Sequence, residues 1–248
     1  MKRLIAFDLD GTLAASKQAI DPDMALLLTR LLDRGAVAVI SGGDWPQFTA
    51  QLVDHLPPEA DFSRLWLLPT SGTKLYRFAG EWRCIEAETL SPVERAHVIA
   101  AMERVVNGAG LAAEPAWGAR IEDRISQITL SALGQQAPAA AKAAWDPDRH
   151  RREALRAALA PLLPGFAVRI GGSTSIDVTR AGTDKAWGMR QLAKSAALSL
   201  DDMLFVGDAL YPGGNDAAVR AAGIACIAVR DIADTRLVLT TLVLSGWA

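Results

Sequence analysis

Short apolar runs alternating with helix-patterned segments constrain this chain more than any other feature. LIAF at 4–7 and VAVI at 37–40 flank an amphipathic stretch, Met24–Asp33, that Gly35 stops. This is the order of a βαβ unit, which requires a parallel sheet with helices on its faces. Asp44 then caps a second helix, with Pro46 in its first turn and Gln47 placed to complete a capping box. Leu65–Leu68 reads as a third strand. KLYRFAGEWRCIE after it reads as a hairpin turning at Gly80.

The rhythm breaks after about residue 85. SPVE at 91–94 opens a helix with a capping box and ends it near Asn107–Gly110; strand-like stretches follow at 119–133 and 166–178, separated by the polar helix DPDRHRREALRAALAPLL. From Gly182 the α/β alternation returns with a helix over Ala186–Ser195, the strand MLFVGD, a helix after GGND and the strand ACIAVR. The expected organisation is therefore a Rossmann-like parallel-sheet core, residues 1–84 and 182–248, interrupted by an α+β cap at 85–181.

Composition narrows the function. With 26 basic and 28 acidic residues among 248, net charge −2, the chain lacks the basic excess of a general nucleic-acid binder. Half of it is apolar, yet no uninterrupted apolar run approaches the ~18 residues of a membrane span. Acidic residues break the N-terminal apolar run too early for a signal peptide, so the expected location is the cytoplasm. Cys84 and Cys226 are far apart in sequence, and neither they nor His55, His97 and His150 show metal-ligand spacing.

The chemistry concentrates at predicted strand ends, where open parallel sheets bind ligands. FDLDGT places Asp8 and Asp10 at the end of the first strand, with Gly11 to bend the chain. Asp8 is the expected nucleophile toward phosphorus, and Asp10 the acid that protonates the leaving oxygen and later the base for the attacking water. After the second strand, the Ser41 hydroxyl and the Gly42 and Gly43 amides precede a helix N-terminus and suit phosphate oxygens. Lys185 can neutralise nucleophile and phosphate. Asp208, at the end of LFVGD, can ligate a hard cation, with Asn215 and Asp216 nearby. Two unit negative charges ~4 Å apart repel by ~4 kcal/mol at an effective dielectric near 20, so both cations are needed. The expected metal set is Asp8, Asp10, Asp208 and Asp216, and the expected ion is Mg2+.

DLDGT, a small hydroxyl residue after the second strand, an isolated lysine, and GD followed by ND together resemble the four motifs of the haloacid dehalogenase (HAD) superfamily of phosphotransferases. The cap position is similar to that of type IIB members. GGSTSIDVTRAGTDK, GDALYPGGNDAA and DTR at 234–236 resemble the eukaryotic-type phosphomannomutases. That resemblance implies that Arg124, Ser175 and Asp177 contact a sugar phosphate from the cap. It also puts Gln135 and Lys142 where two further arginines are expected, and Lys17 where an arginine follows the first motif. An arginine fork binds phosphate bidentately, lysine as a point charge and glutamine without charge. On this weakened clamp the expected function is a magnesium-dependent phosphatase acting on a sugar phosphate or similar small metabolite. The alternatives are phosphomannomutase and a non-catalytic phospho-ligand binding module; the resemblance also allows a homodimer through the cap.

Overall fold

A computed structural model describes residues 2–247. In chain order it contains β1 (Leu4–Phe7), α1 (Pro22–Leu32), β2 (Ala36–Ile40), α2 (Trp45–Gln51), β3 (Leu65–Leu68), β4 (Lys74–Phe78) and β5 (Trp82–Ala87). There follow α3 (Pro92–Gly108), β6 (Ile121–Asp123), β7 (Ile128–Ser131), α4 (Ala139–Trp145), α5 (His150–Leu159), β8 (Phe166–Ile170) and β9 (Ser175–Arg180). The last elements are α6 (Lys185–Ser195), β10 (Met203–Gly207), α7 (Ala217–Ala221), β11 (Ala225–Ala228) and α8 (Ile232–Leu244). The chain divides into two compact units, one comprising the residues up to Ala87 and from Asp184 onward, the other Glu88–Thr183.

In the discontinuous unit one sheet runs β11-β10-β1-β2-β3-β4-β5. Its first five strands are parallel, and the β4–β5 hairpin adds antiparallel strands at one edge. β1 is buried on both faces, which is why LIAF is continuously apolar instead of alternating. The period of two still sorts its residues: Ile5 and Phe7 join Val37, Val39 and Leu67 against α1 and Leu239 of α8. Leu4 and Ala6 join Ala38, Ile40 and Phe205 against Met189 and Leu192 of α6.

The second unit is a four-stranded antiparallel sheet, β6-β7-β9-β8. Ile128, Leu130, Ile176 and Val178 pack with Val98, Met102 and Val105 of α3 and Leu155 and Leu159 of α5. The intervening residues Thr129, Ser131, Ser175, Asp177 and Thr179 make the opposite sheet face polar. The two stretches read from sequence as strand-like are hairpins, β6–β7 and β8–β9, each broken by a turn. Ile125 occupies the left-handed region in the first turn (φ 70°). The capping box at Ser91 forms as expected, with Glu94 N–H donating to Ser91 Oγ (3.2 Å) and Ser91 N–H to Glu94 Oε2 (2.7 Å).

The approach of α6 to the rest of its unit depends on two glycines. Gly72 (φ +87°) ends a turn in which Thr70 (φ 52°) and Ser71 (φ 59°) are also left-handed. A Cβ on Gly72 would lie 2.5 Å from the Gly188 Cα. The same turn donates Thr70 N–H to Gly43 O and Ser71 N–H to Ser41 O, both at 2.8 Å, so it braces the loop after β2 as well. Gly72→Ala is expected to destabilise the protein by at least ~2 kcal/mol, the left-handed conformation and the backbone collision adding. A lowered urea midpoint with an unchanged m-value would report it.

Candidate active site

Asp8 and Asp208 are placed by strand ends, Asp216 by the start of α7, and each by a local backbone device. Asp8 follows β1, and its Oδ1 accepts from the Leu9 N–H (2.8 Å). Asp208 follows β10; its N–H donates to Thr12 Oγ1 (3.1 Å), and the Thr12 hydroxyl donates to Asp208 Oδ1 (3.2 Å). Gly11 (φ +89°) permits this approach, because a Cβ there would sit 2.6 Å from Asp208 Oδ2. Asp216 is held by the Ala209 N–H, which donates to its Oδ2 (3.1 Å). Asp184 caps α6 by accepting from the Trp187 N–H (2.8 Å), which starts the helix at Lys185.

Lys185 Nζ lies 2.7 Å from Asp8 Oδ1 and 2.6 Å from Asp216 Oδ1, and all three side chains are buried. Asp8, Asp208 and Asp216 each offer an oxygen within 4.8 Å of the others. Burial pushes the Asp8 carboxyl well above the usual carboxylate range, and the charges of Asp216 and Asp208 add to the rise against the opposing pull of Lys185. Asp208 moves up for the same reasons, burial first and then Asp216. Burial alone would lower Lys185, but Asp216 and Asp8 outweigh it and hold the ammonium protonated. Beside burial, these shifts share one imbalance: three carboxylates face one ammonium. A hard divalent cation on oxygen ligands would cancel the excess, so the donor set and its charge fit such an ion.

Asp10, expected among the metal ligands, stands outside this cluster. Its Oδ1 accepts from the Lys17 main-chain N–H (2.7 Å) and Gln51 Nε2 (3.2 Å), and its Oδ2 from Gln47 Nε2 (3.1 Å). The capping box expected at Asp44 is consequently absent. Asp44 Oδ1 caps Trp45 N–H (2.8 Å) and pairs with Lys74 Nζ (2.6 Å), while Gln47 turns to Asp10. Ser41 is buried at the end of β2, and its Oγ accepts from the Gly43 N–H (3.3 Å), with Gly42 between them. Asn215 is exposed beside buried Asp216. Trp45 stacks on Tyr76 (4.1 Å between centroids) against the β4–β5 hairpin.

The second unit holds the remaining expected residues. Lys142 Nζ donates to Gln135 O (3.4 Å), which brings those two together. Ser175 and Asp177 share the polar face of β9, where Asp177 Oδ1 accepts from Thr129 Oγ1 (2.7 Å). Arg124, in the β6–β7 turn, pairs with Glu122 (2.6 Å). Thr12, Gln47 and Gln51 were not singled out as site residues from sequence. Thr12 lay inside the DLDGT motif itself, and Gln47 carried a capping signal that hid its contact.

A parallel sheet with Asp8 and Asp208 directly after adjacent strands, Lys185 opening α6 and Asp216 preceding α7, plus a second α+β unit, is the arrangement of a HAD-type phosphoryl-transfer enzyme with a Rossmann-like core and a cap. The fold matches a haloacid dehalogenase-like hydrolase from Bacteroides thetaiotaomicron with a TM-score of 0.65 at 16% identity, over 98% of this chain and 100% of that one. IMP-bound Plasmodium falciparum IMP-nucleotidase, truncated at its N-terminus, gives a TM-score of 0.72 at 13% identity, over 98% of this chain and 68% of that one. The family model for eukaryotic phosphomannomutase matches residues 24–244, and the chain belongs to that family. A probable phosphomannomutase of Caenorhabditis elegans is 27% identical over 87% of this chain and 85% of its own. Human phosphomannomutase 1 is 27% identical over 86% and 81%. Among the described residues no helix is long and apolar enough to cross a membrane.

The raised carboxyl groups set a pH dependence. Between the unfolded carboxylate pKa, ~3.9, and the higher folded values, the native state binds more protons than the unfolded one. The contribution of Asp8 and Asp208 to stability is therefore fullest at acid pH and is lost as pH rises through the folded values. A divalent cation restores it where protons no longer do. At 100 times its Kd, magnesium should stabilise the protein by ~2.7 kcal/mol at pH 7.5. The increment over an EDTA control should shrink toward pH 5, as read from paired thermal melts. An equal increment at both pH values would contradict this account of the cluster.

Proposed function

We propose that this enzyme is a hexose-phosphate mutase of the phosphomannomutase type, moving a phosphoryl group between the 1- and 6-positions of a sugar through an aspartyl-phosphate on Asp8. One observation carries the reading: the phosphomannomutase family match runs from α1 to α8 and includes the whole second unit. A mutase differs from a simple phosphatase in what that unit must do, since it must recognise the phosphate that is not reacting.

In this mechanism the Asp8 carboxylate attacks phosphorus, and the bond to the sugar oxygen breaks. Lys185 offsets the repulsion between the two anions, and Ser41 with the Gly42 and Gly43 amides receives phosphate oxygens. Magnesium, held by Asp8, Asp208 and Asp216 with Asn215 beside them, would supply further charge neutralisation. Asp10 gives a proton to the departing hydroxyl and takes one from the hydroxyl that accepts the phosphoryl group. Arg124, Lys142, Gln135, Ser175 and Asp177 would bind the distal phosphate and the sugar, with Lys17 near the reacting end. The same reading includes a homodimer through the cap.

Hydrolysis of a sugar phosphate is the second reading. It is favoured by Gln135 and Lys142 standing in the places of two arginines. Arg120 does not replace them: its Nε donates to Ala132 O (2.9 Å) and its NH2 to Glu114 O (2.5 Å).

Wild-type enzyme primed with hexose 1,6-bisphosphate and given mannose 1-phosphate should form 6-phosphate several times faster than inorganic phosphate, followed by coupled assay and phosphate release in parallel. Release that outruns isomer formation would establish the phosphatase instead. Gln135→Arg should tighten distal-phosphate binding ~10-fold, because a charge-assisted hydrogen bond contributes ~1.5–3 kcal/mol. Asp8→Asn should reduce either activity to background while its circular dichroism spectrum stays unchanged.

A further inference from the structure

Helix α2 carries two glutamines whose contacts the reaction above does not use. Gln47 and Gln51 are one helical turn apart, so their side chains meet on one face. Gln47 Nε2 donates to Gln51 Oε1 (2.5 Å) as well as to Asp10 Oδ2, and Gln51 Nε2 donates to Asp10 Oδ1 and to Gln18 O (2.8 Å). Gln51 is 3% exposed, so its amide is fixed by these partners and not by solvent. Gly43 makes room for the arrangement, since a Cβ there would collide with the Gln47 amide. With the Lys17 N–H, three donors occupy a carboxyl group whose two oxygens offer about four lone-pair sites.

A general base must direct a lone pair at the proton it removes. Both Asp10 oxygens instead accept hydrogen bonds, from α2 and from the chain at Lys17. We infer that Gln47 and Gln51 are positioning residues that hold the Asp10 carboxylate on α2 and so slow the attack of water on the aspartyl-phosphate. The inference rests on the aspartyl-phosphate reading of Asp8. In the step that is slowed, a water oxygen bonds to phosphorus and the bond between phosphorus and the Asp8 oxygen breaks. The electron pair returns to the Asp8 carboxylate, and the water proton passes to Asp10. A transferase needs this restraint because its intermediate must outlast the exchange of one acceptor hydroxyl for another. A phosphatase gains nothing from it.

The test uses the whole 248-residue chain and no sugar. Wild type, Gln47→Met, Gln51→Met and Gln47→Lys are phosphorylated with radiolabelled acetyl phosphate in magnesium buffer, freed of donor, and followed by acid quench for loss of protein-bound label. Methionine keeps the length of glutamine and removes the N–H donor; lysine keeps a donor. Phosphoenzyme decay should quicken roughly five- to ten-fold in Gln47→Met and Gln51→Met, a small part of the ~10²–10⁴ a general base contributes. Gln47→Lys should decay as wild type does, a rescue that loss of packing would not give. Unchanged or slower decay in Gln47→Met, whose site is partly exposed and tolerant, overturns the inference, as does equal acceleration by Gln47→Lys. Absence of labelled wild-type protein removes the aspartyl-phosphate reading itself. Failure of the mutase reading shows separately, in the primed sugar assay, and leaves the lifetimes measurable.

Discussion

The buried contact of Lys185 with Asp8 and Asp216 is the interaction on which the rest of the candidate site depends. Three carboxylates drawn within 4.8 Å would repel one another strongly in a buried setting, and one ammonium offsets only part of that repulsion. The residual negative charge suits the site to a divalent cation, whose own charge would be needed before an anionic phosphate could approach. The fold supports this arrangement from several sides. β1 and β10 lie adjacent and parallel, so Asp8 and Asp208 emerge from neighbouring strand ends. Asp184 fixes where α6 begins, and Gly72 against Gly188 sets how closely that helix can approach. Replacing one partner of a buried ion pair leaves a stranded charge, typically at a cost of ~3–5 kcal/mol, which ties site chemistry to folding stability.

Much of this was readable without coordinates, because the core repeats one physical pattern. Fully buried parallel strands need continuous apolar runs, and their ends are where polar residues can first appear. LIAF-DLD, VAVI-SGG and LFVG-D each show the transition, and the structure brings Asp8, Lys185, Asp208 and Asp216 together from positions up to 208 residues apart. The inserted unit was harder. Its hairpins β6–β7 and β8–β9 looked like single stretches; the turn at 124–127, RISQ, has no glycine or proline to mark it, whereas GGST at 171–174 does carry turn residues.

Gln47 shows why local rules mislead at such a place. A glutamine three residues after a capping aspartate ordinarily reaches back to the cap. Here the Asp10 carboxylate offers a charged acceptor, and a hydrogen bond to a charged group is the stronger of the two. Asp44 is in turn drawn to Lys74. The tertiary site thus overrides the helix-end motif, and only the spatial neighbourhood of Asp10, set by β1 and β2 pairing in parallel, reveals it.

Isomerisation and hydrolysis in such an enzyme share their first chemical step, so what separates them is the competition between water and a sugar hydroxyl for the same phosphorus. Two features of this chain act on that competition in opposite directions. On the proposed function, Gln135 where the family resemblance implies an arginine would lower the occupancy of the sugar hydroxyl and favour water. Donors on both oxygens of Asp10 would restrain the base that water requires and favour the sugar, whose own binding energy could be spent on freeing that base. If the outcome is isomerisation, the balance must lie with the Asp10 contacts and with the remaining cap residues, Arg124 and Lys142. Selectivity would then reside less in how tightly the second phosphate is gripped than in when the base becomes available.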